Sequence, residues 1–309
     1  MTNVNIVGNY IHNTYNPTCA GVVIVAHGEL DYFNVTDNTI IMDDSVTTAQ
    51  CFGIGIGSTA AYTEANYFRH TSVARNVVVN GGATAIAVGN APGAVIEDNL
   101  VLSNFAYGGT PGVSQWPITG ISLPTSPSRT SPADDATTAN IVRNNTVWFG
   151  PLVLGGALGI NTGVEGTGHI IANNTVTYSA STVAGGRVFG CYGFGLSLSS
   201  YAAINNNHCY SPATHSFRVT TDIYGQAVNN STALSLSAWK TYASSQGWDS
   251  ASIEGSPNFV SATTSTGYNF KPNTGSPLIG AGSPTYAPTY DLTGTSLFGN
   301  TPDIGAYTH

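Results

Sequence analysis

The acids and bases able to act together on one bond sit in two stretches of the chain. The first holds His27, Glu29 and Asp31; the second holds Glu64, Arg69 and His70. Acid–base work on a sugar needs paired carboxylates, or a carboxylate with a basic residue, facing one bond. Glu29 and Glu64 are therefore the candidate catalytic carboxylates, with His27, Arg69 and His70 as proton carriers or charge stabilisers. Aromatic residues lie in or near the same variable segments: Tyr32, Tyr62, Tyr67 and Trp116. A ring with a rigid apolar face and a polar tip suits a sugar ring, so these four, with Asp31, Glu165 and His169, are the expected glycan contacts. Asp134 and Asp135 read as a solvated turn, since a calcium site wants six to eight oxygens. Every one of these charged residues reads equally well as a solvated loop group. Residue type does not separate the two readings.

The elements that position them repeat. An aliphatic residue, two variable residues, an asparagine, one variable residue and an apolar residue recur seven times, centred on Asn9, Asn38, Asn76, Asn99, Asn145, Asn174 and Asn207. The asparagines are 29, 38, 23, 46, 29 and 33 residues apart, and a fainter eighth copy ends at Asn230. Repeats of this length are stacked units, each too small to bury its own apolar face. Short alternating runs precede the phrase, such as Ile54-Gly55-Ile56, Ile86-Ala87-Val88, Ile121-Ser122-Leu123 and Leu196-Ser197-Leu198. Each unit thus splits into three short strands, with the asparagine turning between the second and third. Asparagine tolerates a left-handed backbone, and its amide can bond to the next asparagine in the stack. The expectation is an all-β fold, a parallel β-helix with three strands per coil and an asparagine ladder along one turn.

This pattern resembles the right-handed parallel β-helix of the pectate-lyase-like superfamily, found in polysaccharide lyases, glycoside hydrolases and phage tailspikes. The resemblance spans roughly residues 4–230. A second one covers the C-terminal part, where Leu236-Ser237-Ala238-Trp239, Gly247-Trp248-Asp249-Ser250, Ser256-Pro257-Asn258-Phe259-Val260, Ser276-Pro277-Leu278-Ile279-Gly280 and Asp303-Ile304-Gly305-Ala306-Tyr307 follow in order. It resembles the closing segment of many bacterial β-helix proteins. We expect residues 1–232 to form the helix and 233–309 a capping segment, with one short helix at Ser235 to Tyr242. In the superfamily's lyases the cleft lies over the first strand, with a Lys or Arg base and often carboxylates holding calcium. Ca2+ is accordingly the cofactor the resemblance makes available. Here the outward first-strand positions are Val23, Val25, Gly55, Gly57, Ala85, Ala87, Ser122, Ser197 and Ser199, with Arg218 the one basic exception. That weakens the lyase reading.

On the third strand, Ile41, Val79, Leu102, Trp148 and Tyr210 fall on the outer face. A contiguous apolar stripe marks an interface, so self-association is expected, as a side-by-side trimer of the tailspike kind. Cover by a long loop such as 103–119 is the alternative. Cys19 and Cys51 precede equivalent glycines and, one coil apart, stand within disulfide range; free interior thiols are the other reading.

Composition narrows the partners. Eight Lys plus Arg and a formal charge of −8 give no basic footprint for nucleic acid. No apolar run is long enough to insert in a membrane, and no leader follows Met1. The chain opens almost inside its first repeat, so either an upstream part is removed or another chain covers that end. The expected protein is an extracellular or virion-surface β-helix of tailspike or adhesin type that recognises a polysaccharide, with depolymerisation left open. A secreted lyase or glycoside hydrolase on an acidic or neutral glycan, and a purely structural assembly protein, are the alternatives.

Overall fold

The computed structural model describes residues 2–13, 20–26, 30–42, 50–57, 68–89, 91, 93–105, 118–123, 139–153, 157–162, 167–182, 189–194, 200–219, 233–245 and 247–309. Three parallel sheets run the length of the stack. The first-strand sheet contains Ala20–Ala26, Gln50–Ile56, Thr84–Val88, Ile118–Leu123, Ala157–Thr162, Phe189–Phe194 and His215–Val219. The second runs from Thr2–Val7 and Leu30–Thr36 through Ser72–Ala74, Val95–Glu97, Ile141–Arg143 and His169–Ala172 to Tyr201–Asn205. The third runs from Tyr10–Asn13 to His208–Tyr210 and ends on Ile253–Glu254. The fold is a parallel β-helix with three short strands per coil.

Its interior is built from columns of like aliphatics. Val35, Val73, Ile96, Val142, Ile171 and Ile204 stack in register on the second sheet, and Ile40, Val78, Val101, Val147, Val176 and Cys209 on the third, all at most 1% exposed. Each such side chain taken from water contributes about 1.5–3 kcal/mol. Towards the C-terminal end the columns turn aromatic: Phe149, Tyr178 and Phe189 stack at centroid spacings of 4.8 and 4.4 Å. Phe189–Phe194 replaces the alternating Leu196-Ser197-Leu198 as the first strand there, and the latter lies outside the described residues. All six residues of Phe189–Phe194 are buried, so no alternation marks them. Cys191 on that strand and Cys209 across the interior form a disulfide with α-carbons 5.8 Å apart, a pairing the spacing did not suggest. Cys19 of the expected Cys19–Cys51 pair lies outside the described residues.

The asparagine ladder is continuous. From Asn9 to Asn174, each backbone N–H and each side-chain amide donates to the Oδ1 of the next asparagine, at 3.0–3.1 and 2.9–3.1 Å. The same amides reach back to the strand carbonyls of Ile6, Val35, Val73, Ile96 and Val142 at 2.8–3.0 Å, and Asn207 reaches Ile171. The left-handed residue, however, is not the asparagine. It is the residue before it: Gly8, Asp37, Arg75, Asp98, Asn144, Asn173 and Asn206, with φ between 52° and 68°. The ladder ends on Ser252, whose hydroxyl accepts from Asn207 N at 2.9 Å, whereas the fainter copy at Asn230 lies outside the described residues.

His208, next to the last asparagine, is fully buried. Its Nε2–H donates to the Gly255 carbonyl and its Nδ1 accepts from the Thr175 hydroxyl, both at 2.7 Å, so the ring is held neutral. Burial lowers its pKa to about 4, against a backbone bond that raises it. An unfolded chain takes up this proton near pH 6.5, so the stability His208 contributes is present above that pH and is lost as pH falls towards 4. Thermal unfolding at pH 7.5 and 4.5 is expected to show a loss, about 3 kcal/mol from this group, that His208→Gln lacks.

The helix Leu236–Ser244, N-capped by the Ser235 hydroxyl, closes the end of the stack over His215–Val219. Beyond it the chain turns back along the outside of the third sheet. Phe259, Tyr268, Phe270, Leu292 and Tyr307 pack onto Val79, Leu100, Leu102 and Trp148, with Phe270 edge-on to Trp148 at 5.6 Å. The apolar stripe expected to join subunits is therefore internal: Val79, Leu102 and Trp148 are at most 3% exposed, Ile41 packs at the edge of the same cluster, and Tyr210 is half-buried. The chain's own last fifty residues supply this cover, whereas most of the loop 103–119 lies outside the described residues.

Candidate functional site

Two of the chemistry-bearing stretches meet on the second sheet, one strand in from Thr2–Val7. Leu30–Thr36 pairs in parallel with Phe68–Arg69, bringing Leu30 opposite Phe68 and Asp31 opposite Arg69. Asp31, Tyr32 and Arg69 are thus strand residues rather than loop residues. The next register position is unusual in three successive coils. Asn3, Tyr32 and His70 all adopt a left-handed backbone, with φ of 59°, 55° and 48°. Asparagine accepts this conformation readily, but for tyrosine and histidine it costs about 1–2 kcal/mol each. Below the kink, Phe33 and Phe68 are buried side by side at a centroid distance of 5.9 Å and anchor the two strands.

The kink turns the rings outward. Tyr32 is 50% exposed, and its ring stacks on the His70 imidazole at 4.3 Å and an interplanar angle of 9°. His70 Nδ1 lies 2.7 Å from Asp31 Oδ1. A carboxylate only accepts, so it takes the Nδ1–H and leaves Nε2 as the imidazole atom available to give or take a proton. The result is an exposed aromatic step flanked by a carboxylate and a guanidinium. It presents apolar faces and hydrogen-bonding edges at once.

The remaining candidates fall elsewhere. His27, Glu29, Tyr62, Glu64, Tyr67, Trp116 and Glu165 lie outside the described residues, as do Asp134 and Asp135. His169 is not a surface residue: it is fully buried, its Nδ1 accepts from Asn140 N at 3.0 Å, and its ring meets Tyr201 edge-on at 5.8 Å. It stands two residues before the inward Ile171, on the same face of its strand, and the register shift beside it is taken up in the neighbouring strand Tyr201–Asn205. Over the first-strand sheet, the row Gly55, Ala87, Ser122, Asn161 and Gly193 carries no ionisable group. Arg218, the basic exception, is half-buried and its Nε has no hydrogen-bond partner. Among the described residues, no group of three or more His, Cys, Asp or Glu is placed to hold a metal ion. No helix among them is long and apolar enough to cross a membrane.

Fold and site together define a parallel β-helix with an outward aromatic step near one end. No protein-family model matches the chain, and comparison with curated proteins finds no match.

Proposed function

We propose that this β-helix recognises a polysaccharide through the step formed by Tyr32, His70, Asp31 and Arg69, as a tailspike- or adhesin-like protein at a cell or virion surface. The observation that carries this reading is the left-handed backbone at Tyr32 and His70. Among the described residues no packing contact requires an aromatic residue there, and an asparagine in the coil alongside takes the same conformation at little cost. Strain retained to expose two stacked rings points to a ligand for those rings. A low-charge surface suits a sugar, and the buried Cys191–Cys209 disulfide suits an oxidising compartment. Placement within the pectate-lyase-like superfamily belongs to this proposal.

The test is a glycan array with the wild type and Tyr32→Asn. The substitution relieves the backbone, so Tm is expected to hold or rise, while binding to any glycan that scores falls at least about tenfold, or 1.4 kcal/mol. Unchanged binding by Tyr32→Asn, or no glycan bound by the wild type, would defeat the reading. A second reading, cleavage, is favoured by the Asp31–His70 hydrogen bond, which orients Nε2 for proton transfer. It predicts new reducing ends or unsaturated products from the wild type. Asp31→Asn would then lower turnover by about 10²–10⁴-fold, well beyond any loss of glycan binding.

A further inference from the structure

The left-handed row beside the ladder does more than turn the chain. Its asparagines fasten the C-terminal segment. Asn173 pairs with Ser283 through both its amide and its oxygen, at 3.0 and 2.8 Å, Asn206 donates to Ala281 O at 2.9 Å, and Asn144 reaches Gly305 O at 3.3 Å. In three of these bonds the row supplies an amide N–H and the segment a carbonyl; in the fourth the Asn173 oxygen accepts from the Ser283 N–H. Asp98 occupies the same row one coil before Asn144. It is 1% exposed, and neither of its carboxylate oxygens has a hydrogen-bond partner.

Its surroundings make an ionised carboxylate costly. From its own coil comes Glu97, paired at 2.7 Å with Arg143 of the next coil. The Nη1 of Arg143 reaches the Tyr286 and Ala287 carbonyls of the segment at 3.3 and 3.4 Å. From the preceding coil comes Arg75, already held by both oxygens of Asp37 at 2.8 and 2.9 Å. From the segment comes the Asp291 carboxylate, bonded by the hydroxyls of Thr293 and Thr308. Both arginines are thus engaged elsewhere, and two acids face Asp98.

We propose that Asp98 is a proton-linked latch for the C-terminal segment, which docks over the neutral carboxyl and loosens when that carboxyl ionises. A neutral carboxyl, like the asparagine amides of the row, carries a donor to offer the segment's carbonyls; a carboxylate only accepts. Burial first, then Glu97, holds the Asp98 pKa well above the usual carboxylate range, and Arg143 and Arg75 do not restore it. With the docked value raised, the latch is fully closed below about pH 3.9, the free value. It weakens as pH rises towards the docked value. Opening would bare the apolar face that Phe270 and Tyr307 cover.

Amide hydrogen exchange of the full chain, read by mass spectrometry for wild type and Asp98→Asn at matched pH, tests this. Asparagine adopts the same backbone and keeps a donor at every pH, and comparison at equal pH cancels the intrinsic pH dependence of exchange. The wild-type to variant rate ratio for peptides within 281–309 is expected to be lowest near pH 4. It should then climb by up to about tenfold per pH unit until the docked pKa is passed. Peptides from Phe189–Phe194 should show no such trend. A flat ratio across pH 4–8 would overturn the latch. So would a ¹³C titration of the wild-type Asp98 carboxyl with an ordinary midpoint near about 4, a measurement that needs no variant.

Discussion

Replacing Asn145 by alanine is expected to cost about 4 kcal/mol or more of unfolding free energy, among the largest effects of any single substitution in the chain. Asn145 is fully buried, and its Oδ1 accepts from both the backbone N–H and the side-chain amide of Asn99, at 3.1 and 3.0 Å. Its own amide reaches Ile96 O, Arg143 O and Asn174 Oδ1 at 2.9–3.0 Å. Alanine strands the buried Asn99 N–H and the Ile96 carbonyl, at about 1–3 kcal/mol each, before any loss of packing. Asn145→Ser should lose less, because a hydroxyl in this turn can still accept from the backbone, as Ser252 does for Asn207. Asn9→Ala, at the exposed end of the ladder, should lose under about 1 kcal/mol. Urea unfolding of the three variants reads this gradient. Equal losses at Asn145 and Asn9 would show that the ladder's buried bonds are not what the asparagines contribute.

The ladder was readable in the sequence because it is periodic, and a period survives insertions of any length between rungs. The row beside it was not. Gly8, Asp37, Asp98, Asn144, Asn173 and Asn206 are types that accept a left-handed backbone, but they differ from one another and Arg75 gives no sign of it, so the row carries no single repeated letter. The apolar outer stripe was legible as apolar and outward, since alternation fixes which face a side chain takes. Alternation says nothing of what covers that face, and the segment that does so is fastened by scattered bonds between its backbone and side chains of the helix, with no repeat of its own.

The site shows the same division. Asp31, Arg69 and His70 were singled out by chemical type, and Tyr32 by its ring. Their convergence depends on an insertion of nine residues between coils being absorbed elsewhere, because Asp31 and its register partner Arg69 are 38 positions apart while Thr2 and Asp31 are 29. His169 was singled out by the same reasoning and is buried, because it stands two residues before the inward Ile171 and alternation puts both on one face. Type identified candidates; only the kink at Tyr32 and His70, a backbone property, distinguished the pair that faces outward together.

The second large effect is expected at the opposite end of the stack, where Trp239→Ala should cost about 3–5 kcal/mol and lower Tm by roughly 10 °C. The indole is fully buried against Phe194 and Phe217, at centroid distances of 5.2 and 6.2 Å, and lids the aromatic interior of the last coils. It is also the first link of a chain that secures the ladder. Its Nε1–H donates to the Asp249 carboxylate, Asp249 accepts from Ser252 N at 3.2 Å, and the Ser252 hydroxyl terminates the asparagines. Alanine therefore removes the lid and also deprives a carboxylate that is 1% exposed of a donor. Trp239→Phe separates the two contributions, because it keeps most of the packing and should lose only about 1–3 kcal/mol for the unmet carboxylate. With the lid gone, His215–Val219 becomes an edge open to another chain, and strand edges of this kind pair with one another. Light scattering of Trp239→Ala is therefore expected to show concentration-dependent association that the wild type and Trp239→Phe lack. A Trp239→Ala protein of unchanged Tm and unchanged mass would mean that the helix Leu236–Ser244 rests on the stack without closing it.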